Sequence, residues 1–325
     1  MSDDLAPLGW RARIGRRFAD SALGRSPLAL HAAYLLVLIP SIFWASNVVV
    51  ARAVVQTTPP VAMTFWRWAG AIVVLAPFAI PKVIAQRALL RQHWKELLLF
   101  AILGVVGFNM LVYLALPYTT AVNATLIQGC IPAAVLCTSW LLFRTKVSRR
   151  MIVGTVASFL GLLVVISTGD PAVLAGLHFN HADLVMTGAI WVWALYIALQ
   201  KRMPATIDPL AFLFAIAVIG ELFIFVLYVS EVAGPMEFDA PSWKIAALSY
   251  IAIFPTALAY YLWNRGILKL GANAGAQSQY LIPVFGAIFA MIFLGESFHW
   301  YHGVGIALIL GGIYMAVSKQ ATAAK

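Results

Sequence analysis

Charged residues are scarce in this chain of 325 residues: Asp, Glu, Lys and Arg make up 10% of it, whereas they form about a quarter of an ordinary globular protein. Hydrophobic residues make up 62%, and the mean hydropathy is +0.90. So few charges cannot cover a surface that faces water on every side. The composition therefore excludes a soluble domain and predicts a protein that crosses the membrane several times.

Cysteines are rare, and the common catalytic motifs are missing. The 2 cysteines, Cys130 and Cys137, lie on one apolar stretch, where a helix would hold them too far apart for a disulfide. The chain has no GxxxxGK[ST] phosphate loop, which excludes an ATP-driven pump encoded in this chain. It also has no Ser-His-Asp grouping or nucleophile elbow. We therefore predict neither an enzyme nor a cofactor.

One small group of residues has the character of metal ligands. His299 and His302 are three residues apart, with Glu296 close by. They adjoin Trp300 near the end of an apolar stretch, where His is an ordinary interfacial residue. We therefore predict no metal site.

Apolar stretches long enough to cross a bilayer recur along the chain. About 20 helical residues, each rising about 1.5 Å, cross a hydrocarbon layer about 30 Å thick. We count ten such stretches, numbered segments 1 to 10, at residues 31–52, 59–80, 97–116, 119–142, 149–168, 183–201, 208–230, 244–264, 272–294 and 299–318. The predicted fold class is an all-α membrane protein with ten transmembrane helices.

The positions of the cations indicate the orientation. All but three of the 22 Lys and Arg residues lie before segment 1, in every second loop after it, or beyond segment 10; the exceptions are Arg52, Arg67 and Lys244. Cytoplasmic loops are enriched in Lys and Arg. We therefore predict a bacterial inner-membrane protein with both termini in the cytoplasm. The net charge of +10 then reflects orientation, and no nucleic-acid partner is predicted.

The two ends are predicted to be short cytoplasmic pieces. Residues 1–27 are Arg-rich like a targeting peptide, but they include Asp3, Asp4 and Asp20. The apolar run that follows is also too long for a signal-peptide core. We predict a cytoplasmic arm over 1–27 and a cytoplasmic tail over 319–325.

The chain contains one unit twice. Sliding residues 126–145 by 151 positions onto residues 277–296 places Gln128 on Gln279, and an offset of 149 places Trp44 on Trp193. Duplication explains two nearly equal offsets. The predicted domains are 28–168 and 183–318, with five segments each. Because five is odd, the second repeat is predicted to be inverted, a plan that is common in secondary transporters.

Polar side chains inside the segments carry the functional hypothesis, because each one needs a partner or a water-filled cavity in the membrane. Each can either bond to a neighbouring helix or contact a ligand. The candidate substrate-binding residues are Trp44, Asn47, Tyr113, Gln128, Trp193, Tyr196, Tyr260 and Gln279. Aromatic, amide and hydroxyl groups with almost no charge suit a small amphipathic or zwitterionic solute. A multiply charged phosphate would need several Arg or Lys side chains.

Two charged residues are predicted at membrane depth. Arg67, in the sequence FWRW, can clamp a substrate carboxylate, or it can cap backbone carbonyls and stack on Trp66 or Trp68. Glu221, in the middle of segment 7, can carry a coupling proton, or it can be a neutral carboxyl bonded to a neighbouring helix. Both alternatives stay open for each residue.

Small residues form one face on each of two equivalent segments. They are Gly154, Ser158 and Gly161 of segment 5, and Gly303, Ala307 and Gly311 of segment 10. Such faces permit close helix approach. We predict that the two segments pack together or form a contact between protomers, so the protein is a monomer or a weak homodimer.

Four motifs carry a resemblance to a known family: FWASN at 43–47, FWRW at 65–68, AYYLWNRGILKLGA at 259–272 and YLIPVFGAIFAMIFLGE at 280–296. Over residues 30–318 the chain resembles the EamA-type members of the drug/metabolite transporter superfamily. The resemblance implies two inverted five-helix repeats around a central cavity bounded mainly by segments 1, 3, 4, 6, 8 and 9. Within that family the chain most resembles bacterial amino-acid exporters, including those for aromatic amino acids. It departs from the family where Arg144-Thr145 replaces the Gly-Glu that usually closes segment 4.

The sequence thus predicts a secondary transporter that exports amino acids, aromatic ones included, or similar small metabolites by alternating access. Its expected partners are a small-molecule substrate and the lipid bilayer. Alternatives are a carrier of the same fold for sugars, nucleobases or organic acids, a multidrug exporter, and a lipid-modifying or scaffold protein.

Overall fold

The structure is a computed structural model, and it describes residues 27–55, 58–204, 206–231, 241–294 and 297–318. Most of the predicted N-terminal arm, the tail at 319–325 and Glu296 lie outside these residues. Within them the chain is helical and contains no strand. The all-α prediction is confirmed.

Each predicted segment corresponds to a helical region, and several segments are composite. Two short helices, Arg87–Gln92 and Pro171–Ala175, lie in the connections. The bounds, in order from segment 1 to segment 10, are Pro27–Val55; Pro60–Ala85; Trp94–Phe100 with Ala101–Gly107, Phe108–Ala115 and Leu116–Tyr118; Ala121–Gln128 with Ile131–Phe143; Arg149–Ile166; His181–Leu199 with Gln200–Arg202; Pro209–Glu231; Ser242–Ile251 with Ala252–Leu258 and Ala259–Leu270; Ala272–Ala276 with Gln277–Tyr280 and Leu281–Leu294; and Trp300–Val317.

Among the described residues, 8 helices are long and apolar enough to cross a membrane. They belong to segments 2 to 8 and segment 10. In segment 1 the described apolar stretch is the shorter Ala32–Asn47, and segment 9 is divided by the 3₁₀ turn Gln277–Tyr280. A multi-pass membrane protein is therefore shown, and the crossing by segments 1 and 9 stays a prediction.

Helix irregularities recur at the offset found in the sequence. Segments 3 and 8 each contain a π-helical stretch, Ala101–Gly107 and Ala252–Leu258, which begin 151 residues apart. Segment 4 is interrupted after Gln128, and segment 9 has its 3₁₀ turn around Gln279, again at an offset of 151. π-Helical stretches are uncommon and often mark functional sites. Their recurrence shows that the two halves share backbone detail as well as residues.

The two halves are interleaved. Segment 10 packs along segment 5, and segment 7 packs along segment 2. Segment 1 packs against segments 8 and 9, while segment 6 packs against the equivalent segments 3 and 4. If each segment is replaced by its equivalent in the other half, the same set of contacts results.

Glycines permit the contact between segments 5 and 10. A Cβ atom on Gly161 would lie 2.7 Å from the Gly305 carbonyl oxygen, and one on Gly312 would lie 2.5 Å from the Gly154 carbonyl oxygen. This confirms that the two segments pack together. The face predicted on segment 10 was wrong, because a Cβ on Gly311 would have nothing within 4 Å. Gly305 and Gly312, two turns apart, form the contact instead.

Candidate functional site

Six aromatic rings from segments 1, 2, 6 and 8 meet in the interior of the bundle. We call them the aromatic cluster: Trp44, Trp68, Trp193, Tyr196, Tyr260 and Trp263. All except the half-buried Trp44 are at most 2% exposed. Four of the predicted site residues are therefore brought together. Trp68 and Trp263 were missed, although they lie in the quoted motifs FWRW and AYYLWNRGILKLGA, because a Trp in an apolar run is typical of any helix core.

The rings pack in the geometries that aromatic quadrupoles favour. Trp44 meets Trp193 and Tyr260 edge-on at centroid distances of 6.2 and 5.9 Å, and Trp193 stacks on Tyr196 at 4.9 Å. Trp44 Nε1 donates to the carbonyl oxygen of Pro255 at 3.0 Å. That carbonyl belongs to the π-helical stretch of segment 8, so an irregular backbone orients the central ring.

Amide groups extend the cluster on one side. The Tyr196 hydroxyl and Gln200 Nε2 both donate to Asn264 Oδ1 at 3.0 Å. Gln200 and Asn264 are buried, at 2% and 1% exposure. Asn264 Nδ2 is enclosed and has no hydrogen-bond partner among the described residues. A buried amide donor without a partner is a candidate contact for a solute.

Arg67 lies beside the cluster and is 4% exposed. Its Nη1 donates to the Tyr113 hydroxyl at 2.6 Å, and its Nε donates to Thr256 Oγ1 at 3.1 Å. Its guanidinium carbon lies 5.9 Å from the Trp68 ring centroid, close enough for a cation–π contact. Neither ion pair found in the described part of the chain involves Arg67. Tyr113 is thus linked to the aromatic cluster through Arg67.

The remaining predicted binding residues are not joined to the cluster by a described contact. Asn47 Oδ1 and Gln279 Nε2 are enclosed and lack a hydrogen-bond partner in the described part of the chain. Gln128 is half-buried at the end of Ala121–Gln128. The break in segment 9 is tied to segment 1, because Ser41 Oγ donates to the Ser278 carbonyl at 3.0 Å.

Glu221 lies apart from the cluster on segment 7. Both of its carboxyl oxygens are enclosed and have no hydrogen-bond partner among the described residues. Its neighbours Leu222 and Phe223 are 64% and 45% exposed, as expected for a surface that faces lipid. The alternative of a carboxyl bonded to a neighbouring helix therefore finds no partner in the described part of the chain.

The cavity differs from the expected one. Trp44, Trp193 and Tyr260 fill the space between segments 1, 6 and 8, with ring centroids no more than 6.2 Å apart. A cavity of about 390 Å³ lies to one side, lined by the ends of segments 4, 6 and 8 and the start of segment 9. We call it the vestibule. Segments 1 and 3, which the family resemblance had placed around a central cavity, do not line it.

The opposite end of the bundle is closed by polar contacts. Asp183, at the start of segment 6, is 2% exposed and accepts from the Thr119 hydroxyl and, at 3.0 Å, from Asn123 Nδ2. Ser46 Oγ and the Tyr250 hydroxyl are hydrogen-bonded at 2.6 Å. Sequence reasoning missed Asp183, because an acid at the start of a helix is an ordinary capping residue.

The two C-terminal histidines contribute to a helix cap. The backbone N–H of His299 donates to His302 Nδ1 at 3.1 Å, at the start of Trp300–Val317. Among the described residues no three His, Cys, Asp or Glu side chains are grouped so as to hold a metal ion.

Known proteins share both the sequence and the fold. The model of the EamA-like transporter family matches residues 31–167 and 181–318. The uncharacterized transporter YyaM of Bacillus subtilis (strain 168) is 26% identical over 87% of this chain and 92% of its own. An uncharacterized transporter of Archaeoglobus fulgidus is 27% identical over 88% of this chain and 98% of its own.

Two further similarities are more distant. The S-adenosylmethionine/S-adenosylhomocysteine transporter of Chlamydia trachomatis serovar L2 is 22% identical over 82% of this chain and 83% of its own. A chain of known crystal structure superposes with a TM-score of 0.74 at 18% identity, covering 91% of this chain and 99% of that one. The superposition shows a shared fold.

Proposed function

Because the chain belongs to the EamA-like transporter family of the drug/metabolite transporter superfamily and carries the family domain twice, we propose that it exports small metabolites across a bacterial inner membrane. The proposed cargo is amino acids, aromatic ones included, or similar small metabolites. The proposed mechanism is secondary transport by alternating access.

The proposed architecture has ten crossing helices in two inverted repeats, at 28–168 and 183–318, with both termini in the cytoplasm. Two observations support it: the π-helical stretches that recur 151 residues apart, and the segment contacts that exchange with the halves. Coupled motion of two such halves around a shared site is the general basis of alternating access.

The observation that carries the substrate proposal is the aromatic cluster beside Arg67. A buried cation without a counter-ion is costly in a membrane, and in the described part of the chain Arg67 contacts only hydroxyl groups and rings. A substrate carboxylate would offset that cost by accepting from the guanidinium. The neighbouring rings offer an apolar, polarisable surface for the rest of an amino acid.

The described conformation fits one half of the transport cycle. The vestibule reaches the exposed Lys201, on the side predicted to be cytoplasmic from its cations. The opposite end is closed by the contacts of Asp183 and by the pair Ser46 and Tyr250. We assign this conformation to the state that receives solute from the cytoplasm. Export then requires the contacts at the closed end to break.

Counterflow in proteoliposomes tests the proposal. The purified protein is reconstituted with radiolabelled L-phenylalanine, and unlabelled solutes compete from outside: aromatic amino acids, L-threonine, a hexose, uracil, a dicarboxylate and S-adenosylmethionine. We expect the aromatic amino acids to compete and the hexose to have no effect. If L-phenylalanine shows no counterflow while another solute does, the cargo proposal is wrong and the transporter assignment stands.

S-adenosylmethionine is the second candidate cargo. The Chlamydia relative is named for this solute, which combines an α-amino-carboxylate with a purine ring. Its carboxylate would suit Arg67 and its purine would suit the cluster, whereas Arg67 would repel its sulfonium cation. A multidrug cation is less compatible, because Glu221 lies apart from the cluster and Arg67 would repel a cation.

A further inference from the structure

The vestibule has polar side chains within a mostly apolar lining. It lies between four segment ends, one from the first half of the chain and three from the second, and its volume of about 390 Å³ is within the range of about 300–1,000 Å³ typical of small-molecule sites. Its polar residues include Ser139, Gln200, Lys201 and Asn273. None of the described residues that line it is acidic.

Asn273 places an unsatisfied hydrogen-bond acceptor at this lining. The residue is 7% exposed, and its Oδ1 atom is enclosed without a hydrogen-bond partner among the described residues. A buried acceptor without a partner costs about 1–3 kcal/mol. Asn273 lines the vestibule, so a rotation of its side chain would turn Oδ1 toward a solute donor there and remove that cost.

A second, smaller cavity of about 20 Å³ continues the vestibule toward the aromatic cluster. The two cavities share Gln200, Met203 and Leu268, and the smaller one reaches Asn264. Asn264 Nδ2 has no partner in the described part of the chain, while its Oδ1 accepts from Tyr196 of the cluster. An unpartnered acceptor and an unpartnered donor thus lie on one route between the cytoplasmic side and the cluster.

We propose that the vestibule is a loading subsite, which binds the amide or α-amino-carboxylate head group of a small solute before the solute reaches the aromatic cluster. The inference rests on the proposed function and adds a second position to it. Asn273 accepts from the solute's ammonium or amide N–H, and Asn264 donates to its carboxylate or carbonyl. Lys201 at the mouth disfavours solutes with a net positive charge.

Alkylation tests where the solute binds. Asn273→Cys is introduced after Cys130→Ser and Cys137→Ser, since both native thiols are exposed, and inside-out vesicles are treated with a membrane-impermeant maleimide. We expect labelling, and we expect millimolar L-phenylalanine to slow it at least about fivefold, because a bound solute covers the thiol. The control is Gln92→Cys on the exposed Arg87–Gln92 helix, where the solute should not protect.

Sided transport tests the same residue without a label. Asn273→Ala removes an acceptor that has no partner, so the fold should be retained. We expect it to raise the half-saturating concentration of L-phenylalanine about tenfold in inside-out vesicles, which corresponds to about 1.4 kcal/mol. In right-side-out vesicles the half-saturating concentration should stay as in the wild type.

The outcomes separate this proposal from the proposed function. Suppose that the wild type carries L-phenylalanine, that L-phenylalanine does not protect Asn273→Cys from the maleimide, and that Asn273→Ala has the half-saturating concentration of the wild type. The loading subsite is then overturned and the transporter proposal stands. If L-phenylalanine is not carried, the cargo proposal fails. The other solutes of the counterflow panel are then tested for protection of Asn273→Cys against the maleimide. If none of them protects the thiol, the loading subsite is overturned. Failure of the maleimide to reach Asn273→Cys from the cytoplasmic side also overturns it.

Discussion

Arg67 poses the main electrostatic problem at the scale of single residues. Moving a cation out of water costs several kcal/mol even after the protein relaxes. Hydrogen bonds to a charged group return about 1.5–3 kcal/mol each, and the structure describes two, to Tyr113 and Thr256. The hydroxyl groups and the Trp68 ring thus hold the guanidinium in place without neutralising it. The charge remains available to an anion.

Arg67→Lys is expected to lower the initial rate of counterflow at least about tenfold. Lysine keeps the charge but lacks the planar fork that reaches two hydroxyl groups and a carboxylate at once. The rate is measured per amount of folded protein in the membrane. The matched control is Arg87→Lys on an exposed helix, which should transport normally. A normal rate in Arg67→Lys would remove Arg67 from the substrate site.

Tyr260→Ala and Gln279→Ala are expected to abolish transport. The first removes the ring that contacts Trp44, Trp68 and Trp193. The second removes a buried amide whose Nε2 is unpartnered in the described part of the chain. Tyr260→Phe is the control, since it keeps the ring and loses only contacts of 3.5 Å. Counterflow is measured alongside thermal stability in detergent, and normal flux in both alanine variants refutes the assignment.

Glu221→Gln tests proton coupling. If the enclosed carboxyl carries the coupling proton, an amide cannot replace it, and the dependence of flux on pH should flatten. Flux is measured in liposomes across a series of pH values, with Glu96→Gln as the control, because Glu96 lies near the start of segment 3, on the side predicted to be cytoplasmic. A pH profile identical to that of the wild type excludes Glu221 as the coupling group.

At the scale of helices, the main feature is the pair of π-helical stretches in segments 3 and 8, and each has a local cause. Asn109 Nδ2 donates to the carbonyls of Gly104 and Val105 at 3.1 and 2.9 Å, at the π-helical stretch of segment 3. In segment 8, Thr256 Oγ1 donates to the Ile251 carbonyl at 2.8 Å. Side chains thus occupy carbonyls that an α-helix would pair with backbone N–H groups.

The sequence explains the interrupted helices unevenly. Pro132 and Pro283 lie just after the interruptions of segments 4 and 9, as expected because proline lacks an N–H and marks a helix start. The stretch Ala101–Gly107 reads AILGVVG, in which no residue distinguishes a π-helix from an α-helix. The side chain that bonds its carbonyls, Asn109, was not among the candidate site residues.

Gly312→Ala is expected to destabilise the protein, whereas Gly311→Ala is not. The new methyl at 312 would lie 2.5 Å from the Gly154 carbonyl oxygen, while the one at 311 would meet nothing within 4 Å. Overpacking of this kind typically costs about 1–3 kcal/mol, and alanine at an open helix position is favourable by up to about 1 kcal/mol. Thermal unfolding in detergent compares the two. Equal melting temperatures would contradict the close contact of segments 5 and 10.

At the scale of the whole molecule, the sequence indicated which groups meet better than how far apart they lie. Trp44, Trp193, Tyr196 and Tyr260 were chosen as side chains with polar groups inside the segments, and they are in contact. Among the described residues, the rings of Trp44, Trp193 and Tyr260 occupy the space where a central cavity was predicted, because ring separations depend on the conformation of the two halves. The vestibule residue Asn273 was missed for a related reason: it lies at the start of segment 9, and only the folded chain places it beside residues of segments 4 and 6.

Reporter fusions test the proposed orientation. A fluorescent protein fused after Lys325 should fold in the cytoplasm, and alkaline phosphatase at the same place should be inactive. The same reporters placed after Gly176, between the halves, should give the reverse result, because an odd number of crossings precedes that point. The same result at both points would exclude inverted repeats.

The interleaving of the halves has a consequence for how the chain is made. Segment 1 packs on segments 8 and 9, and segment 6 on segments 3 and 4, so the first half enters the bilayer before its neighbours have been translated. Arg67 and Asn109, in the first half, form hydrogen bonds with Thr256 and Tyr260 in the second half, so these bonds form only after the second half is made. A chain truncated between the halves would leave these groups facing lipid, and membrane proteases would be expected to degrade it. Two halves synthesised as separate polypeptides in one cell, by contrast, contain every surface they need to reassemble.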